Sequence, residues 1–182
     1  MSNVIDINFL YGLYYKDNPE LLRIILIHSE LVAKKALSII DKSSLQIDRE
    51  FVYCGSLLHD IGVIRCYAPD IHAFGKKPYI CHGVEGKKIL LRHRLFSLAR
   101  VCECHTGAGI TASQIKENKL PLPPHDMLPI SLEEKLICYA DKFFSKGKDI
   151  TREKNIDEIY NQMKKFGPES LARFNNLHDI FK

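Results

Sequence analysis

Apolar residues recur along most of the chain at the three-and-four spacing of amphipathic helices, and no alternating run reaches strand length. Asn18-Pro19 opens the first long helix, with a capping side chain and a proline where the first turn has no amide bond to lose. Leu22, Ile25, Leu31, Val32, Ala36 and Ile39 then carry its apolar stripe. Asp48 caps a second helix that runs to about His59. A third spans about Cys81 to Leu91, and a fourth about Phe96 to His105, where Thr106-Gly107 stops it. Ser131-Leu-Glu-Glu134 is a capping box that starts a fifth helix ending near Ser145. Two more, about Arg152 to Phe166 and Pro168 to Phe181, are divided by Gly167-Pro168 and are read as braces for the core. Gly62 to Ile80 resists a helical reading, as does Thr106 to Ile130, which packs Pro121, Pro123, Pro124 and Pro129 into nine positions. Both are candidate pocket walls. The pattern predicts an all-α fold, a single-domain helical bundle over residues 1–182, without repeats or low-complexity tracts.

Several titratable residues fall on the faces that this periodicity assigns to the core. His28 has Ile24, Ile25, Leu31 and Val32 at helical spacing, and His105 has Val101 and Cys102. Asp141 follows Ile137 by four and precedes Phe144 by three, where an unpaired carboxylate would be very costly. His59-Asp60 closes an apolar helix that contains Val52, Leu57 and Leu58. One buried histidine bonded to a carbonyl is ordinary. Inward histidines and aspartates on different helices of one core are how a bundle builds a metal centre, each ligand neutralising what would otherwise be an unsatisfied buried group.

Composition sharpens that reading. With 182 residues, 46% of them apolar, the chain buries roughly 70% of its unfolded surface and needs no structural staple, so a metal here implies chemistry. The net charge is +4, and the basic runs Lys76-Lys77, Lys87-Lys88 with Arg92 and Arg94, and Lys164-Lys165 are short and lack interleaved aromatics. No nucleic-acid partner is expected from them. Met1 to Asp17 has no basic region followed by an apolar run, and no stretch is long enough to span a membrane, which together predict a cytoplasmic protein. Cys54, Cys66, Cys81, Cys102, Cys104 and Cys138 are scattered without a Cys-x-x-Cys, so reduced thiols rather than a cysteine zinc site are expected.

The ordered set His28 in Ile-His-Ser-Glu, His59-Asp60 in Leu-Leu-His-Asp-Ile-Gly and Asp141 in Tyr-Ala-Asp-Lys resembles the HD-domain (HDIG-type) metal-dependent phosphohydrolases, over about Asn18 to Ser145. His82 in Cys-His-Gly-Val-Glu-Gly and His105 in Cys-His-Thr-Gly are similar to segments of the two-metal branch, which includes bacterial dinucleoside tetraphosphate hydrolases. The resemblance implies one metal site of His28, His59, Asp60 and Asp141, with Asp60 bridging to a second held by His82 and His105. One position departs from it: members of that branch often carry a lysine two residues after the isoleucine of the dipeptide motif, where this chain has Val63.

Two six-coordinate ions offer about 12 positions, these side chains fill about seven, and about five remain for solvent and substrate. Such an open nitrogen-and-oxygen site suits iron, manganese, cobalt or zinc, and its excess positive charge attracts phosphate. The implied reaction is hydrolysis of a small phosphorylated substrate, a nucleotide or dinucleoside polyphosphate, by metal-activated water, with His59 and Asp60 at its centre. Arg65, Lys76, Lys77 and Lys142 are candidates for the distal phosphates, and Glu85 for orienting a ligand. His72, His93, His125 and His178 have no motif context and are read as non-ligands. The same ligand set also suits a di-iron oxygenase or a non-catalytic nucleotide-binding module, and the proline-rich segment suits a lid or a homodimer contact.

Overall fold

The computed structural model describes residues 6–182; residues 1–5, part of the Met1 to Asp17 stretch discussed above, lie outside the described residues. The helices are α1 (Ile7–Tyr15), α2 (Pro19–Lys42), α3 (Arg49–Leu58), α4 (His82–Arg92), α5 (Phe96–Cys104), α6 (Ala112–Glu117), α7 (Leu132–Asp141), α8 (Ile156–Lys164) and α9 (Pro168–Phe181). The fold is all-α, as the periodicity predicts, and no helix among the described residues is long and apolar enough to cross a membrane.

The capping side chains act where the sequence places them. Asn18 accepts from the Leu21 amide and Asp48 from the Phe51 amide, and Ser131 and Glu134 satisfy each other's backbone in a capping box. Each such cap contributes about 1 kcal/mol. Helix α7 nevertheless stops at Asp141, short of the expected Ser145, and α8 begins at Ile156 rather than near Arg152, behind an Asn155 cap.

Helices α1 and α6 are absent from the sequence reading. Helix α1 is held by long-range bonds that periodicity does not register: the Tyr11 hydroxyl donates to the Leu57 carbonyl at 2.6 Å, and the Tyr15 hydroxyl to that of Ile61 at 3.0 Å. Helix α6, six residues behind the Thr111–Gln114 capping box, is too short to show a stripe.

Between α3 and α4, a 3-10 turn at Ile61–Arg65 leads into three strands, β1 (Cys66–Ala68), β2 (Ala73–Phe74) and β3 (Lys77–Pro78). Their order is β2-β1-β3, antiparallel on one side of β1 and parallel on the other. Strands of two or three residues cannot display alternation, so the sequence could not announce them.

One group of core side chains, including Val32, Ala36, Leu136, Ile137, Ile159, Met163 and Phe174, joins α2, α3 and α7 to α8 and α9. A second, including Tyr15, Leu21, Ile25, Leu58, Ile89 and Leu90, joins α1 and α2 to α3, α4 and α5. Gly62 lets the two backbones of this second group touch. A Cβ there would lie 2.1 Å from the His82 carbonyl oxygen and 2.2 Å from the Gly86 nitrogen. That approach seats the start of α4 against the end of α3, and so brings His82 beside Asp60.

Candidate metal centre

The six singled-out residues converge, five of them at helix ends. His28 lies within α2, His59 is the C-cap residue of α3 with Asp60 directly after it, His82 opens α4, His105 caps α5, and Asp141 is the last residue of α7. All six are buried. They form two sets of inward ligand atoms, His28, His59, Asp60 and Asp141 in one and Asp60, His82 and His105 in the other, the atoms of each set lying within 4.8 Å of one another.

Asp60 divides its carboxylate between the sets. Its Oδ2 lies 2.9 Å from His59 Nε2 and 3.3 Å from His28 Nε2. Its Oδ1 lies 3.6 Å from both His82 Nε2 and His105 Nε2. Asp141 Oδ1 closes the first set, 2.9 Å from His28 Nε2 and 3.5 Å from His59 Nε2.

The backbone sets the tautomers of three rings. A carbonyl oxygen only accepts, so His59 Nδ1 donates to Ser56 at 2.7 Å, His82 Nδ1 to Tyr79 at 2.8 Å, and His105 Nδ1 to Cys102 at 2.7 Å. In their neutral forms each is left with a bare Nε2, and those of His82 and His105 face each other at 3.0 Å. Two facing lone pairs repel unless a cation lies between them. Asp60 Oδ1 and His28 Nδ1 are also buried without a hydrogen-bond partner. Bare imidazole nitrogens oriented by carbonyls, beside buried carboxylate oxygens, are a donor set that fits one or two divalent ions.

Charge follows the same division. Burial alone would depress His59, but Asp60 and Asp141 outweigh it and hold its pKa at about 9. His82, buried and beside His105, is pushed down to about 3, and burial also lowers His105. Burial opposes ionisation of Asp60 and Asp141, yet His59 and Lys146 hold Asp60 well below the usual carboxylate range, and Lys142 with His28 and His59 does the same for Asp141.

The cations are arranged differently from the sequence reading. Lys142 is buried, with Nζ 2.7 Å from Asp141 Oδ2 and donating to the His105 carbonyl at 3.2 Å, so it braces two of the inward residues. Arg65 lies 3.6 Å from Glu85, which also pairs with Lys88 at 2.7 Å. Lys76, just before β3, and Lys77, its first residue, are exposed. The residue missed is Lys146, whose Nζ lies 2.5 Å from Asp60 Oδ2. Its only sequence signal is a basic residue in the turn that follows the closing aspartate. Tyr79, also missed, stacks on the His82 ring with centroids 4.9 Å apart. His93, His125 and His178 bond to Tyr14, Glu103 and Tyr139, and with the exposed His72 they lie outside both sets.

Helix ends converge on a buried cluster of histidine nitrogens and aspartate oxygens that could hold a metal ion. The chain belongs to the HD domain family, whose model matches residues 25–145. It is 39% identical over 153 residues to an uncharacterised protein of Methanocaldococcus jannaschii, covering 83% of this chain and 81% of that protein. It is also 32% identical over 157 residues to a tRNA (cytidine(56)-2'-O)-methyltransferase of Picrophilus torridus, and 30% identical over 152 residues to one of Thermoplasma volcanium. These matches cover 86% and 83% of this chain but only 41% and 40% of the two methyltransferases, so the chain spans about two fifths of their length. No solved structure matches.

Proposed function

We propose that the protein is a metal-dependent phosphohydrolase acting on a nucleotide or dinucleoside polyphosphate. The observation that carries this reading is the split carboxylate of Asp60, one oxygen toward His28 and His59 and the other toward His82 and His105. His28, His59, Asp60 and Asp141 would hold one divalent ion, and Asp60, His82 and His105 a second. Such ions, when bound, polarise a phosphoryl oxygen and lower the pKa of a coordinated water to near neutrality. The chain's own contribution is positioning. The Ser56, Tyr79 and Cys102 carbonyls aim Nε2 of three imidazoles inward, and Lys142 and Lys146 add positive charge on the side of Asp141 and Asp60. That charge suits an anionic substrate, and Lys146 joins Arg65, Lys76 and Lys77 as a candidate phosphate contact.

The test is metal content per chain after anaerobic purification without a metal-binding tag, followed by a phosphate-release screen over dinucleoside polyphosphates and nucleotides with iron, manganese, cobalt and zinc. About two ions per chain with phosphate release that D60A abolishes support the reading; oxygen consumption with an organic substrate would replace it with the oxygenase.

The two methyltransferase-named relatives favour a second reading, in which the phosphate ester is carried by RNA. Phosphate release from end-phosphorylated RNA, but not from free nucleotides, would decide for it.

A further inference from the structure

The small sheet carries an exposed row that the metal centre does not use. Tyr67 of β1 and Phe74 of β2 are direct partners in the antiparallel ladder, and Pro78 of β3 is the partner of Tyr67 on the other side. Directly opposed residues project to the same face of a sheet, so Phe74, Tyr67 and Pro78 form one row across it. Tyr67 is 60% exposed and Phe74 65%, whereas Cys66 and Ala73, which alternate with them along the strands, are fully buried.

Lys76 is exposed in the turn between Phe74 and Pro78, and Lys77 beside it is exposed on the edge strand β3, in register with Cys66; Arg65, which precedes β1, faces Glu85 at 3.6 Å. The row also leads into the metal centre, because Pro78 is followed by Tyr79, whose ring lies on His82. A docking helix would call for aliphatic side chains, and no exposed leucine, isoleucine or valine belongs to the row. Two flat aromatic faces on neighbouring strands with an exposed lysine in the adjoining turn match a polyanion whose repeating units carry their own flat rings.

We propose that Tyr67 and Phe74 form a stacking platform for single-stranded nucleic acid, receiving two adjacent bases while Lys76, in the turn before β3, meets a phosphate. Strand pairing sets Tyr67 beside Phe74, two residues before Lys76, whereas Lys77 pairs with Cys66 and lies on the other face. The platform goes beyond the hydrolytic reading and holds whether or not that reading does.

The experiment is fluorescence anisotropy of labelled decauridylate and decaadenylate RNA with the full chain in the presence of a chelator, so that binding is read without turnover. The wild type binds both oligomers. The Y67A/F74A variant binds them at least tenfold more weakly while its circular dichroism and melting temperature stay unchanged, since both rings are exposed, and Y67F retains binding. The K76A variant flattens the slope of log affinity against log salt by about 0.7, the value for one phosphate contact on a single strand. No binding by the wild type, or equal binding by Y67A/F74A, overturns the platform. Competition by uridine monophosphate as effective as that by the decamer overturns it in favour of a mononucleotide site. A wild-type dimer that Y67A/F74A converts to monomer, with RNA binding unaffected, overturns it in favour of self-association. None of these outcomes depends on phosphate release, and loss of phosphate release alters none of them.

Discussion

The Lys146 ammonium lies 2.5 Å from Asp60 Oδ2, so the carboxylate that joins the two histidine sets also has a lysine as counter-charge. The Asp60 side chain is fully buried and that of Lys146 is 12% exposed, which places the pair away from solvent screening. Breaking a buried pair by removing one partner costs about 3–5 kcal/mol. K146M should therefore melt roughly 6–20 °C below the wild type in chelator, taking about 2–4 °C per kcal/mol for a chain of this size. A saturating divalent ion should narrow the gap, because the ion then compensates Asp60. Melting curves with and without manganese check this, and equal curves in chelator would refute the role given to Lys146.

Because Asp60 belongs to both ligand sets, D60A should lose both ions, whereas H82A and H105A should each lose about one. Metal per chain by elemental mass spectrometry is the readout. Two ions retained in D60A would show that the bridging assignment is wrong.

Gly62 is predicted to tolerate no side chain, because the atoms its Cβ would meet, the His82 carbonyl oxygen and the Gly86 nitrogen, are backbone and cannot turn aside. G62A should cost more than about 3 kcal/mol, at the upper end of overpacking effects, and should displace His82. G12A serves as control, since nothing lies within 4 Å of a Cβ at Gly12. Chemical denaturation of the two variants side by side would check it; equal stability would contradict the close approach.

Glu134 ties the start of α7 to α5. It receives Arg100 Nε at 2.8 Å and the Ile130 amide at 2.7 Å. Burial opposes its ionisation, but the Arg100 hydrogen bond and the Ile130 amide outweigh it and hold its pKa below the ordinary 4.5. A carboxyl depressed in the folded state adds stability above its unfolded pKa, and that stability is lost as pH falls through the lower folded value. E134Q should therefore destabilise by about 1.5–3 kcal/mol at pH 7, and the gap should shrink as pH is lowered below 4.5. A gap independent of pH would show that the charge of Glu134 contributes nothing.

Much of this is legible in the sequence. The caps Asn18, Asp48 and Ser131 work through bonds three residues away, so a local reading sufficed for them. The inward direction of His28, His105 and Asp141 follows from helical spacing alone. Helix α1 is not legible there, because the partners of Tyr11 and Tyr15 lie 46 residues downstream. Where the Lys142 ammonium turns is likewise set by the fold, which places it on Asp141 and on the distant His105 carbonyl, and charge along the chain does not register that.

The sequence by itself determined which residues are inward, polar and of metal-ligating chemistry, because helical period and capping are set by neighbours along the chain. Only the tertiary structure decided that Asp60 turns one oxygen to each histidine pair, that Lys146 stands beside it, and that Tyr67 and Phe74 share one exposed face. Those are relations between segments far apart in the chain, set by the glycine-mediated contact at Gly62 and the pairing of strands too short to leave a pattern.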